Sequence, residues 1–254
     1  MRKRIRGTGA ALLCLLCLFA FAAAGTAEEA PETGLERFPV YHGSRESRKI
    51  AITVDDVNEP EWARKTFELC GQYGIQVTFF PNGYNIHEED AGMWREIAES
   101  DCEIGSHCYT HDYFEENPTW PILDGLGLFQ QQLDKVLGYH YEVRWYRPPF
   151  GHLGTNNDSE KIIIRTIRLF GYDHALLWDV SSSNDADVAI RKVKNGSILL
   201  FHAREKDYRC LEKLIPMLLE EGYEPVTVSA LFGFDPPERG GEPYVYDPNV
   251  FREH

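Results

Sequence analysis

Two carboxylates and two imidazoles follow short apolar runs in the first half of the sequence. Asp55 and Asp56 end one such run, and His107 and His111 follow another run further along the chain. One carboxylate and two imidazoles can hold a divalent metal ion, and the second carboxylate then stays free to take a proton from water. This set of residues predicts metal-assisted hydrolysis.

Short apolar runs alternate with amphipathic stretches over most of the chain. The runs predicted as strands are 49–54, 76–80, 103–106, 142–146, 174–180, 197–201 and 224–228. Most are continuously apolar, which indicates strands covered on both faces. Between several of them, apolar residues recur at the three- and four-residue spacing of a helix. This alternation predicts an α/β fold, a distorted and incomplete (β/α) barrel with about seven parallel strands.

Polar residues follow the carboxyl ends of these predicted strands. In a parallel barrel all such ends open on one face, where active sites are built. Besides the Asp and His pairs, the strand ends carry the segments Arg147–Gly151, Trp178–Asp179 and Leu200–His202. Residues far apart in sequence are therefore expected to share one site.

Each of these residues also has a structural interpretation. The Asp pair could cap a turn or helix before Pro60, and the His pair could lie in a solvated turn. His202 could be a hydrogen-bonded core histidine. Arg147 lies among aromatic residues and prolines, so it needs a buried carboxylate, for which Asp55 and Asp179 are the candidates. Because all of them fall at strand ends, a shared site explains the pattern better than separate structural roles.

Four segments together resemble the secreted polysaccharide deacetylases. These are metal-dependent carbohydrate esterases that remove N-acetyl or O-acetyl groups from chitin, peptidoglycan or xylan. The segments are Thr53–Asp56, His107–His111, Arg147–Gly151 and Leu200–His202. The resemblance covers about residues 48–232, and their order and placement at strand ends make it specific.

The resemblance implies a role for each matching residue. Asp55 would be the catalytic base, oriented by Arg147, and His202 would be the general acid. The implied metal ligands are Asp56, His107 and His111. The implied substrate and oxyanion contacts are the backbone N–H of Phe150 together with Pro149, Trp178 and Leu200.

Three positions depart from the family pattern. Val57 stands where the family usually has glycine, which limits the backbone there. Cys108 stands where serine or threonine commonly follows the first histidine ligand. Ser181 occupies the usual position of an aspartate that supports His202 or the arginine, and Asp179 and Asp185 are candidate substitutes.

The charge balance excludes some partners. The formal net charge is -14, and removal of residues 1–27 with their four basic side chains takes it to -18. An acidic chain without a basic stripe is not expected to bind nucleic acid or an anionic membrane surface. The expected partner is a polysaccharide or oligosaccharide substrate, bound by a monomer. The expected cofactor is one divalent ion, with zinc as first choice and cobalt, nickel or manganese as alternatives.

The N-terminus has the layout of an export signal. Residues 1–27 combine a basic start, a short apolar run and small residues, which predicts a bacterial signal peptide and a secreted or cell-wall-associated protein. An uncleaved anchor is the alternative. Residues 28–46 are expected to form a flexible leader and residues 47–254 a single catalytic domain. For Cys70, Cys102, Cys108 and Cys210, small buried thiols are favoured over disulfides.

These observations favour a secreted, metal-dependent deacetylase. Its expected substrate is peptidoglycan or another glycan that contains N-acetylglucosamine, with O-acetyl groups as an alternative target. A carbohydrate-binding relative that keeps the metal site but has impaired catalysis is the first rival. A barrel glycosidase that uses Asp55 and a second carboxylate is the other, but it explains neither the His pair nor His202.

Overall fold

A parallel β-sheet forms the centre of the molecule. The computed structural model describes residues 35, 38–112, 119–154, 156–172, 174–181 and 185–250. The strands within these ranges are β1 (Lys49–Asp56), β2 (Thr78–Pro81), β3 (Glu103–Ile104), β4 (Val180–Ser181), β5 (Ile198–His202) and β6 (Glu224–Val226). Their order is β3-β2-β1-β5-β4, with β6 also against β1, and every pairing is parallel.

Helices connect the strands, as the alternating pattern predicts. They are α1 (Pro60–Tyr73), α2 (Ala91–Glu99), α3 (Thr119–Leu137), α4 (Asn157–Phe170), α5 (Ala186–Ile190), α6 (Glu205–Glu220) and α7 (Val228–Leu231). Proline at the first position of α1 has a backbone already set for a helix, and Gly74 ends that helix in the left-handed conformation. At α4, the Asn156 side chain and Ser159 form a capping box.

Strand β1 is buried on both faces, which explains its continuously apolar sequence. Ile50, Ile52 and Val54 lie in the large core cluster shared with the helices. Ala51, which points the other way, packs with Trp145 and other residues of a separate inner cluster. The sheet therefore has an outer layer of helices and a filled interior, as in a barrel.

Single bridges, and not full ladders, link the residues that follow β3 to those that precede β4. Tyr146 forms parallel bridges to Ser106 after β3 and to Ala175 before β4. The predicted strand 142–146 therefore takes a strand position without forming a strand of its own. The fold is the distorted, incomplete barrel expected from the sequence.

Two features of the structure differ from the sequence-based expectations, namely helix α2 and the attachment of residues 38–46. Helix α2 lies between β2 and β3, where no helix was predicted. Residues 38–46 are attached to the barrel, because Val40 is fully buried and bridges Leu176, and His42 bridges Ser197. The predicted signal peptide at 1–27 lies outside the described residues.

The four cysteines of the described chain are buried free thiols, as the sequence analysis favoured. They are Cys70, Cys102, Cys108 and Cys210.

Across the described residues, no helix combines the length and the apolar character needed to cross a membrane.

Candidate active site at the carboxyl ends of the strands

Asp55 and Arg147 form a buried ion pair at the end of β1. Their side chains are 3% and 0% exposed, and Arg147 Nη1 lies 2.6 Å from Asp55 Oδ1. The guanidinium also donates to Thr53 Oγ1 and to the carbonyls of Leu176 and Leu177. Each of its three nitrogens therefore has a hydrogen-bond acceptor. Burial lowers the pKa of Arg147 while Asp55 opposes that shift, and the group stays protonated.

The arginine leaves one oxygen of Asp55 facing the neighbouring histidine. Asp55 Oδ2 lies 4.0 Å from His107 Nε2. An Asp-Arg pair of this kind holds the carboxylate in one orientation and presents a single oxygen to the site.

Asp56, His107 and His111 form a cluster with the donor set of a metal site. One ligand atom from each lies within 4.8 Å of the others. Asp56 Oδ1 is 3.4 Å from Nε2 of both histidines. Ligands about 2.1 Å from a tetrahedral ion are separated by about 3.4 Å, so these spacings fit a zinc-sized cation.

Two further observations support that fit. Asp56 Oδ1 is buried, and no hydrogen bond from the described residues satisfies it. His107 Nδ1 lies 2.7 Å from the carbonyl oxygen of Arg147. Because a carbonyl only accepts, Nδ1 carries the proton and the lone pair of Nε2 faces Asp56. The three residues can therefore hold a divalent cation.

The protonation states of the cluster suit cation binding. Burial works to raise the pKa of Asp56, but His107, His111 and His202 together hold it below its ordinary value. Burial, with the neighbouring His107, lowers the pKa of His111. An ionised carboxylate and a neutral imidazole are the forms that bind a metal.

His202 lies beside Asp55 at the end of β5. The two residues are register partners in neighbouring parallel strands. The ring Nδ1 of His202 is 3.2 Å from Asp207 Oδ2, in the first turn of α6. The same oxygen accepts from the backbone N–H of His202 at 2.8 Å and from Arg204 Nε at 2.9 Å.

The backbone around the site is in unusual conformations. Asp56, Val57, Cys108 and Phe150 have φ values of 68°, 56°, 66° and 59°. The N–H of Val57 donates to the carbonyl of Asp55, which makes a three-residue turn around Asp56. A left-handed conformation is costly for a β-branched residue such as Val57, which is also fully buried. The turn places the carboxylate of Asp56 beside the two histidines.

The predicted substrate contacts are at the rim and the wall of the site. The Phe150 ring is 48% exposed and lies 4.2 Å, centroid to centroid, from the His111 ring. Pro149 begins a 3₁₀ turn over Pro149–Gly151. The Trp178 ring lies 5.7 Å from the Arg147 guanidinium carbon, and Leu200 is buried beside Thr53 in the sheet.

This geometry combines a carboxylate held by an arginine, a cation-binding trio and a histidine held by a carboxylate. The sequence profile described as Polysaccharide deacetylase matches residues 42–175, more than half of the chain. The chain belongs to the polysaccharide deacetylase family.

Relatives of this polysaccharide deacetylase family member are bacterial. A peptidoglycan-N-acetylglucosamine deacetylase of Bacillus cereus is 28% identical over 202 residues, which are 73% of this chain and 88% of that protein. The solved structure of BA3943, a CE4 family pseudoenzyme from Bacillus anthracis, is 23% identical and superimposes with a TM-score of 0.65, over 76% of this chain and 68% of that one. A BA3943 mutant with restored enzymatic activity has the same TM-score at 25% identity, over 76% of this chain and 71% of that one.

A third structure concerns a family 4 acetyl xylan esterase from Clostridium thermocellum in complex with cobalt. It is 20% identical, with a TM-score of 0.61, over 72% of this chain and 90% of that one. These likenesses agree with the barrel described above.

The carboxylates proposed to replace Ser181 lie elsewhere. Asp179 contacts Arg45 at 2.7 Å and accepts from Ser197 and from the N–H of Ile198, at the opposite end of β5 from His202. Asp185 caps the start of α5. The Ser181 hydroxyl accepts from the indole N–H of Trp178 at 2.8 Å. Each aspartate therefore has a structural role of its own, Asp179 at the start of β5 and Asp185 at the start of α5.

Asp207 is the residue that the sequence analysis missed. It lies five positions after His202, where an acidic residue in a first helical turn is expected for helix stability alone. The structure shows that the short connection between β5 and α6 brings the carboxylate of Asp207 back to His202.

Proposed function

We propose that this chain is a metal-dependent deacetylase that hydrolyses N-acetyl groups of an exported glycan, with peptidoglycan as the first candidate substrate. The observation that carries the proposal is the Asp55–Arg147 pair beside the cluster of Asp56, His107 and His111. The Bacillus cereus relative, whose name states activity on peptidoglycan N-acetylglucosamine, supports the substrate class.

Asp55 takes the role of base in this proposal. A divalent ion held by Asp56, His107 and His111 supplies Lewis acidity and positive charge at the acetyl carbonyl. Arg147 binds Oδ1 of Asp55 and leaves Oδ2 directed into the site, where it removes a proton from the attacking water. Asp55 is next to the ligand Asp56 in sequence, but the three-residue turn around Asp56 gives the two carboxylates different partners.

His202 takes the role of acid. The amine of the sugar is a poor leaving group unless it is protonated, and an imidazolium can supply that proton. Because His202 is the register partner of Asp55, acid and base reach the same bond from neighbouring strands. By family resemblance, the N–H of Phe150 donates to the developing oxyanion, with Pro149, Trp178 and Leu200 lining the acetyl pocket.

A second candidate function is glycan binding without turnover. The observations that favour it are the strained Val57 and the serine at position 181. The likeness to the BA3943 pseudoenzyme keeps this alternative open to experiment.

Acetate release tests both candidates. Purified protein is incubated with N-acetylglucosamine oligomers and with peptidoglycan fragments, with and without a chelator, and acetate, reducing ends and glycan binding are measured. Acetate that disappears with the chelator and in Asp55→Asn, but not in Asp179→Asn, supports the deacetylase. Binding without product favours the second candidate, and new reducing ends would overturn the deacetylase in favour of a glycosidase.

We also propose that residues 1–27 direct export and are removed. The support is the sequence pattern alone, a basic start followed by an apolar run. N-terminal sequencing of protein recovered from the medium or cell wall of a bacterial host should find a start near Glu28. Protein retained in the cytoplasm at full length would contradict the proposal.

A further inference from the structure

The carboxylate partner of His202 comes from α6, outside the segments that carry the family resemblance. We propose that Asp207 positions His202 for proton donation and replaces the aspartate that the family pattern expects where Ser181 stands. This inference rests on the proposed function and concerns the same site.

The contacts of Asp207 link His202, at the end of β5, to helix α6. Oδ2 of Asp207 receives the backbone N–H of His202, the ring Nδ1 of His202 and Nε of Arg204. The Asp207 side chain is fully buried, whereas His202 keeps 26% of its side chain exposed. One buried oxygen therefore fixes both the backbone and the ring of a histidine whose outer edge faces the site.

This arrangement selects one form of the imidazole. A carboxylate accepts and does not donate, so Nδ1 of His202 carries a proton and Nε2 is the atom presented to substrate. A fixed ring whose Nε2 faces substrate is what a general acid requires.

Hydrogen bonds from His202, together with the charge of Arg204, favour the ionised form of Asp207. Burial alone would raise the pKa of Asp207, but the hydrogen bonds from His202 and the charge of Arg204 hold it below its ordinary value. Arg204 itself is 37% exposed, so its outer nitrogens stay close to water while Nε points inward. Arginine, unlike lysine, can donate from Nε in this way.

The other candidate carboxylates do not compete for this role. Asp179 accepts from the backbone N–H of Ile198, which is the first residue of β5 and four positions before His202, and is held by Arg45 and Ser197. Its surroundings make it a matched control, since it also accepts one backbone N–H and one arginine, and its partners among the described residues include no histidine.

The kinetic test compares four variants with wild type. We expect Asp207→Asn to lower kcat/KM for acetate release by about 10- to 100-fold, the usual effect of losing an outer partner of a site residue. The basic limb of its pH–rate profile should move to lower pH, because the imidazolium loses its neighbouring charge. Asp207→Glu should recover part of the rate, Asp179→Asn should behave as wild type, and Ser181→Asp should bring no gain.

A second measurement does not depend on turnover. Nitrogen-15 NMR of the metal-loaded protein reports the tautomer and the titration midpoint of His202. In Asp207→Asn the midpoint should fall to lower pH, with the fold checked by circular dichroism. An unchanged midpoint, or an unchanged pH profile in an active and folded variant, would overturn the proposal. If wild type releases no acetate, the deacetylase proposal fails while the NMR result still decides the role of Asp207.

Discussion

The two edges of the sheet use left-handed backbone in different ways. At the edge where the helices end, it is supplied by glycines such as Gly74 and Gly171, with φ values of 64° and 110°. At the carboxyl ends of the strands it falls on Asp56, Val57, Cys108 and Phe150. Glycine adopts these angles without a steric cost, whereas the same angles are sterically costly for the other residues. Among the described residues, left-handed backbone at positions other than glycine is therefore found at the edge that carries the candidate site.

Buried carboxylates show the same contrast. Glu103, at the start of β3, is fully buried and accepts hydrogen bonds from Thr78 Oγ1 and from the N–H and hydroxyl of Ser229. Burial raises its pKa. Asp56 keeps a buried oxygen without a hydrogen bond from the described residues, and its pKa is lowered. Neutral hydrogen-bond donors satisfy the structural carboxylate of Glu103. The carboxylate of Asp56 is ionised, lies beside imidazoles and can still bind a cation.

The largest effect is expected from removing a metal ligand. His107→Ala should lose the bound divalent ion and about 1000-fold or more in acetate release, since a Lewis acid contributes several kcal/mol and each 1.4 kcal/mol is tenfold. Metal analysis and acetate assays check this. His140→Ala is the control, because His140 also pairs with a buried aspartate, Asp134, but outside the site. Equal metal content in wild type and His107→Ala would refute the assignment.

The Asp pair should separate base from ligand. Asp55→Asn should reduce turnover by about 100-fold or more while the metal stays bound. It should also destabilise the fold by about 3–5 kcal/mol, because Arg147 remains buried without its charge partner. Asp56→Asn should lose metal and rate together. If Asp55→Asn lost the metal and Asp56→Asn retained it, the two roles would be exchanged.

Glu103 should affect stability and its pH dependence, not metal binding. A raised pKa means that its contribution is complete below the unfolded value near 4.5 and is lost as pH rises through the folded pKa. The difference in unfolding free energy between wild type and Glu103→Gln should therefore fall as pH increases above 4.5. Urea unfolding from pH 4 to 8 measures it, with the exposed Glu224→Gln as control. A difference that grows with pH would reverse the interpretation.

The smallest effect concerns the strained valine. Val57→Gly loses buried apolar surface but relieves a left-handed β-branched residue. It should cost about 1 kcal/mol less than Val54→Gly, whose residue is equally buried but lies within β1. Paired urea denaturation curves measure the two costs. Equal losses would show that the turn at Val57 stores no strain.

The sequence predicted the strands well where burial on both faces left a continuous apolar run, as in β1 and β5. Because the carboxyl ends of parallel strands share one face, Asp55 meets Arg147 and Asp56 meets the two histidines there, whereas Asp179 pairs with Arg45 instead. Helix α2 was missed, since its apolar residues occupy only two turns between two strands. Asp207 was missed because an aspartate that caps a helix and one that holds a histidine look the same in a sequence.

The buried thiols have a consequence for handling the protein. Burial raises the pKa of Cys108 to about 12 and that of Cys210 to about 11, so almost no thiolate exists at neutral pH. Oxidants and alkylating reagents act on thiolates, so the native protein should resist both. Within the described residues the fold contains no disulfide. The domain after residue 27 can therefore be produced in a reducing cytoplasm, and uptake of a thiol dye on heating would report its unfolding directly.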